Sequence, residues 1–150
     1  PESSDGNGFS LIRIDPAGDG DPNLPSEWRP STETGGNPGT SDFIAFSGEN
    51  SADLLAYAIP QINDLSARIN KDGKLIVTVR QKLGADNALI ELEYSTDGIS
   101  WARLTDDDGI EVTKRTHNGD GTESLEYKTI SKDLINQDAA ILFRATVRLR

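Results

Sequence analysis

Hydrophobic and polar positions alternate along much of this chain, most clearly at its end. Ile141, Phe143, Ala145, Val147 and Leu149 fall on one side of an extended segment, and Arg144, Thr146, Arg148 and Arg150 fall on the other. The stretch ALIELEYSTDGISWARL, residues 88–104, repeats the pattern: Ala88, Ile90, Leu92 and Tyr94 alternate with Leu89, Glu91, Glu93 and Ser95. Asp97 and Gly98 both tolerate positive φ, so residues 99–104 are expected to return as the second strand of a hairpin. Further strands are predicted over residues 65–69, 74–82, 110–116 and 123–130. The turns between strands fall at 71–73, 84–87, 106–109 and 118–121. Asn50, Ser51, Ala52 and Asp53 can cap a two-turn helix through Leu54, Leu55, Tyr57 and Ala58, which Pro60 ends.

Seven short strands spaced by turns, with no helices between them, predict an all-β chain. The expected architecture is an antiparallel immunoglobulin- or fibronectin-like β-sandwich over residues 43–150. Its predicted core is Leu75, Val77, Val79, Ile90, Leu92, Tyr94, Trp101, Leu125, Tyr127, Phe143, Ala145 and Val147. Residues 1–42 read differently. A polar arm leads to FSLIRI, where Phe9, Leu11, Ile12 and Ile14 are too apolar to stay in water and predict one strand. Five prolines follow between Pro16 and Pro38, with Leu24 and Trp28 as the large apolar anchors. This is either an ordered coil that wraps the sandwich, pinned by Trp28, or a linker. Residues 1–48 hold 8 Gly and 6 Pro and residues 49–150 hold 6 and 1, which puts the boundary near residue 42.

Charge narrows the range of partners. The formal net charge is −10 among 150 residues. Most of it lies in residues 1–73, with 12 acidic and 4 basic side chains. Such a surface repels phosphate backbones and anionic lipid, which speaks against nucleic acid and membrane insertion. No run approaches the roughly 20 apolar residues that span a bilayer. The absence of cysteine excludes disulfides, thiolate metal sites and thiol catalysis. With no methionine either, Pro1 is expected to follow a cleavage that releases a piece of a longer precursor.

Candidate chemistry is sparse. His117 is the only histidine and sits beside a turn, where an exposed side chain is expected. Glu91 and Glu93 share a strand face, but the one opposite the apolar row, so they read as a solvated face and not as a paired-carboxylate hydrolase site. Asp15, Asp19 and Asp21 in a Gly-rich loop have spaced carboxylates and form a candidate Ca²⁺ site; the run Asp106, Asp107, Asp108 is a weaker one. Both lack EF-hand spacing. Trp28 is either a sugar-stacking platform or the anchor of its loop.

Two blocks resemble known modules. Ser10-Leu11, Arg13, Trp28-Arg29, Ser31 and Gly35-Gly36-Asn37-Pro38-Gly39 resemble the closing segment of lamin-tail-type domains. The "LL-YA" helix at Leu54–Ala58, "LEYSTDG-SW" from Leu92, the "NGDGTE" turn from Asn118 and "FRATVRLR" from Phe143 resemble the C-terminal β-sandwich module of large secreted bacterial surface proteins, of planctomycete and verrucomicrobial type. The resemblance implies an extracellular or cell-surface accessory module and no reaction.

The expected function is therefore non-enzymatic: a structural or adhesive module whose partners are other domains of the same precursor or neighbouring subunits. In that role Phe9, Leu11, Ile12 and Ile14 form a candidate assembly strand, which pairs either with the chain's own sandwich or, by exchange, with a neighbour. The alternative is a carbohydrate-binding accessory module for surface polysaccharide, with Ca²⁺ organising its loops.

Overall fold

The computed structural model describes residues 6–61, 63–104, 110–129 and 141–150. These form an all-β protein of antiparallel sheets with one short helix. The strands are β1 (Phe9–Arg13), β2 (Trp28–Thr34), β3 (Leu65–Ile69), β4 (Leu75–Lys82), β5 (Ala88–Ser95), β6 (Ala102–Arg103), β7 (Ile110–His117), β8 (Thr122–Thr129) and β9 (Leu142–Leu149); helix α1 (Ser51–Ala58) lies between β2 and β3. One sheet has the order β3-β4-β8-β7, a second β6-β5-β9, and β1 pairs with β2 alone.

The alternation read from the chain sets these faces. In β4, Leu75, Val77 and Val79 are buried, with Val77 opposite Tyr127 and Val79 opposite Leu125 on β8. On the other sheet Leu92 lies opposite Ala145, Ile90 opposite Val147 and Tyr94 opposite Phe143. The two sets meet in one hydrophobic cluster, which Ala58 and Ile59 close at one end. Leu125 is buried on β8, and every other predicted core position except Trp101 belongs to the cluster or packs against it.

Helix α1 has the expected start and stop. The Asn50 side chain accepts from the N–H groups of Ala52 and Asp53, at 2.9 and 3.0 Å. Ile59, the residue before Pro60, is extended at φ −115° and ψ 122°, which ends the helix. Asn50→Ala should cost about 1 kcal/mol, read as a fall of about 3 °C in the thermal midpoint.

Three expectations need correction. The segment read as wrapping coil contains β2, a seven-residue strand, and β1 pairs with it, Ile12 opposite Arg29 and Arg13 opposite Trp28. Pro30 and the surrounding prolines disguise it: proline is tolerated in a two-stranded ribbon, where a ladder hydrogen bond need not be donated at every position. The return strand after Asp97-Gly98 shrinks to Ala102–Arg103. Only Gly98 takes positive φ, and the Asp97 carboxylate instead accepts from the N–H groups of Ile99 and Ser100, which keeps these residues in a wider turn. Those two backbone bonds lead in holding the Asp97 carboxyl down at about 2. As a result Ile99 is 84% exposed and Trp101 is half-buried at the surface, not in the core, with the Arg144 guanidinium 4.2 Å from its ring centroid. The turn predicted at 106–109, the run Asp106–Asp108 and the end of the strand at Ile130 lie outside the described residues.

Candidate functional site

The β1–β2 hairpin is joined to the body through Arg29, a single basic residue of β2 that is only 1% exposed. Its Nε and Nη2 donate to the two carboxylate oxygens of Asp86, both at 2.5 Å, in a fork. Its Nη1 donates to Asp42 Oδ2 and, at 2.9 Å, to the Pro30 carbonyl; Nη2 also reaches the Asp42 carbonyl at 3.1 Å. All five N–H donors of the guanidinium are thus engaged. Asp42 Oδ1 accepts from the Thr32 N–H and hydroxyl and from Asn37 Nδ2. Burial pushes the Asp42 carboxyl up, but the hydrogen bonds from Arg29 and Thr32 and the Arg29 charge together outweigh it and hold the group below the usual carboxylate range.

Above this ion-paired floor lies a cleft of about 580 Å³ between the end of β1 and the segments holding Asp42 and Asp86. Ile12, Ile14, Pro16 and Phe43 give it an apolar wall, and Asn87 and Arg150 line the polar side. The Tyr57 hydroxyl, with its one proton, reaches both the Ile44 carbonyl and the Asn87 side-chain amide at Oδ1 and holds Asn87 in place. Burial, the leading cause, raises the Tyr57 hydroxyl above the usual phenol value. Arg150 is fixed at its N–H by the Asn87 carbonyl and at Nε by the Asp86 carbonyl, each at 2.8 Å.

No protein-family model, curated protein or solved structure matches this chain. Several residues at the base of the hairpin have a physical reason in the fold. Arg29 and Asn37 bind Asp42. Ser31 Oγ accepts from the Ser10 N–H at 3.0 Å and donates to the Glu33 carbonyl at 2.7 Å. Gly36 has φ +72°, and a Cβ there would lie 2.2 Å from Ser10 Oγ. These residues build and dock the hairpin.

The candidate Ca²⁺ loop has a different occupant. Arg13 Nη2 donates to the carbonyls of Gly18 and Gly20, at 3.1 and 2.8 Å, so the loop closes around a guanidinium. Asp21 turns to Asn23, accepting from its N–H and side-chain amide, and those bonds, the backbone one first, lower its carboxyl. Among the described residues no group of three or more His, Cys, Asp or Glu could hold a metal ion, so Asp15, Asp19 and Asp21 are not brought together. Trp28 is half-buried and its Nε1 donates to the Pro22 carbonyl at 2.7 Å, the geometry of a loop anchor.

His117 is not exposed as expected. It is half-buried, its ring centroid 4.1 Å from that of Phe9, and Nδ1 accepts from the Gly119 N–H. Among the described residues that is its hydrogen bond, so no nucleophile is coupled to it. Beside it, Glu123 is 0% exposed; Oε1 accepts from Arg115 at 2.7 Å and Gln81 at 2.5 Å. Glu91 and Glu93 pair across the outer face of their sheet with Arg148, Arg103 and Arg144 at 2.5–2.9 Å. Ladders of this exposed kind contribute about 0.2–1 kcal/mol per pair. Of the candidate assembly strand, Phe9 stacks on His117, Ile12 and Ile14 line the cleft, and Leu11 is exposed.

The cleft and its floor were missed by sequence reasoning because their residues are 57 positions apart, as Arg29 and Asp86 are. One signal was present: Arg29 is one of four basic residues in the first 73, inside a segment rich in carboxylates.

Proposed function

We propose that this chain is a non-enzymatic structural or adhesive module of an extracellular surface protein, built as an immunoglobulin-like sandwich. The observation that carries the reading is the strand order. With β3, β4, β8 and β7 taken as strands A, B, E and D, and β6, β5 and β9 as C′, C and F, the two sheets follow the order of that architecture. Its last strand would lie against β9, and among the described residues β9 is the edge of its sheet over Leu142–Leu149. An edge eight residues long is a template for a strand from a neighbouring domain or subunit. The acidic surface keeps separate modules soluble.

Strand exchange in such an assembly moves β1 and β2 together, because the residues between β2 and α1 form no strand or helix and Arg29 ties the hairpin to Asp86. Light scattering on the intact chain and on one beginning at Asp42 tests this. Assemblies that grow with concentration and vanish on truncation support exchange. A monomer at all concentrations, merely destabilised by truncation, removes self-assembly from the reading.

A carbohydrate-binding accessory module is the second reading, and the cleft over Arg29 is the observation that favours it. Its calcium dependence is expected to be nil, since Arg13 fills the acidic loop. Millimolar Ca²⁺ and excess chelator should give the same thermal midpoint; a Ca²⁺-dependent rise restores the metal site at Asp15, Asp19 and Asp21.

A further inference from the structure

We infer that the cleft over Arg29 binds a saccharide unit bearing a carboxylate, of the uronic-acid class, with Arg150 receiving the carboxylate. The inference rests on the carbohydrate-binding reading and gives it a site and a ligand chemistry.

Volume comes first. About 580 Å³ is in the range of small-ligand sites and accommodates one or two sugar rings. The walls have the two-sided character that a pyranose needs. Ile12, Ile14, Pro16 and a Phe43 that is 45% exposed supply apolar surface for C–H faces. The opposite side supplies hydrogen-bonding groups held in place by the fold.

Some of those groups are donors that the fold leaves uncommitted, and these select the ligand. Asp42 and Asp86 line the cleft, but their carboxylates are already engaged by Arg29, and Asp42 also by Thr32 and Asn37. They offer little to a hydroxyl that seeks an acceptor. The Asn87 side-chain amide is held against the Tyr57 hydroxyl, which also reaches the Ile44 carbonyl, and adds a polar group to the cleft wall. Arg150 uses Nε for the Asp86 carbonyl, so Nη1 and Nη2 present the two-pronged edge that matches a carboxylate. Asp15, the remaining carboxylate at the cleft, lies against its own turn, with Oδ2 2.6 Å from where a Cβ of Gly18 would be. The lining charges without an ion-pair partner among the described residues are thus the Arg13 and Arg150 guanidiniums and the Asp15 carboxylate, and Arg150 is the one that keeps both Nη groups for an anion. The net charge of −10 does not reverse this. Charges beyond about 8 Å are screened at physiological ionic strength, so the local guanidinium decides.

The test is an amide-resolved NMR titration of the intact chain with four probes: a galacturonic-acid trimer, glucuronate, a neutral glucose trimer and acetate. The two acidic saccharides should give saturable shifts around Ile12, Phe43, Asn87 and Arg150. Arg150→Gln should weaken them at least tenfold, about 1.4 kcal/mol, with an unchanged melting temperature. Phe43→Ala should weaken the saccharides and leave the response to acetate as it was. Equal affinity for acetate and glucuronate overturns the saccharide assignment, because the ring then contributes nothing. Equal affinity for the neutral trimer, or none lost in Arg150→Gln, overturns the carboxylate assignment while the carbohydrate-binding reading stands. No saturable shift with any probe up to about 10 mM, an affinity of under 3 kcal/mol, overturns both.

Discussion

Replacing Arg29 by methionine should cost about 3–5 kcal/mol at neutral pH and loosen the β1–β2 hairpin from the body. The side chain is 1% exposed, and the side chains of its partners Asp42 and Asp86 are 5% and 8% exposed. Methionine fills much of the volume, so little of the loss comes from a cavity. The cost arises because two carboxylates are left in a desolvated seam without the cation that both of them face. Denaturant titration gives the free energy, and amide exchange over β1 and β2 shows where the loss is felt.

The pH dependence identifies the cause. In the parent, Arg29 and Thr32 hold the Asp42 carboxyl below the usual carboxylate range. A depressed folded-state value means that this contribution is fully present above the unfolded value and is lost as the pH falls through the folded one. In Arg29→Met, burial, the largest single influence on Asp42, acts without the guanidinium against the Thr32 hydrogen bonds alone, and the folded value is expected to rise above the unfolded one. Protonation then relieves the variant as the pH falls. Between about pH 6 and 4 the gap between variant and parent should narrow. A gap that stays constant over this range would mean that Arg29 acts through packing alone.

The strands were legible because one face of each is apolar and the other is not, and burial makes that difference count at every second residue. β4, β5 and β9 are the clearest cases, and there the side chains that were expected to meet do meet. β2 was not legible. WRPSTET has no alternating apolar row; its buried side chains are Arg29, Pro30 and Ser31, and polar atoms satisfied by distant partners leave no periodic trace. The turn after β5 failed for a related reason, since an Asp-Gly pair encodes both a tight reversal and a wider one built on the aspartate side chain. The cleft was illegible altogether. It is made by closing residues 29, 42, 86 and 150 on one another, and no local pattern encodes that closure.

Leu92→Asp should abolish the cooperative fold, and Leu89→Asp, three residues earlier on the same strand, should not. Leu92 is 4% exposed and lies opposite Ala145 in the shared cluster. A carboxylate there has no donor within the cluster and must enter charged or take up a proton, at a cost of about 4 kcal/mol or more. Loss of the leucine's own burial adds about 2 kcal/mol. A domain of this size is stable by about 5–15 kcal/mol, so the two together remove much or all of it. Leu89 points to the other face and pairs in register with Arg148, where a carboxylate can stay hydrated beside a guanidinium. Its replacement should cost about 1 kcal/mol or less, the span of strand propensity. Thermal unfolding followed by circular dichroism separates the two variants. A slip of one residue in β5 exchanges its faces and reverses the ranking. Only the register in which Leu92 faces Ala145 gives one variant that melts near the parent and one with no transition.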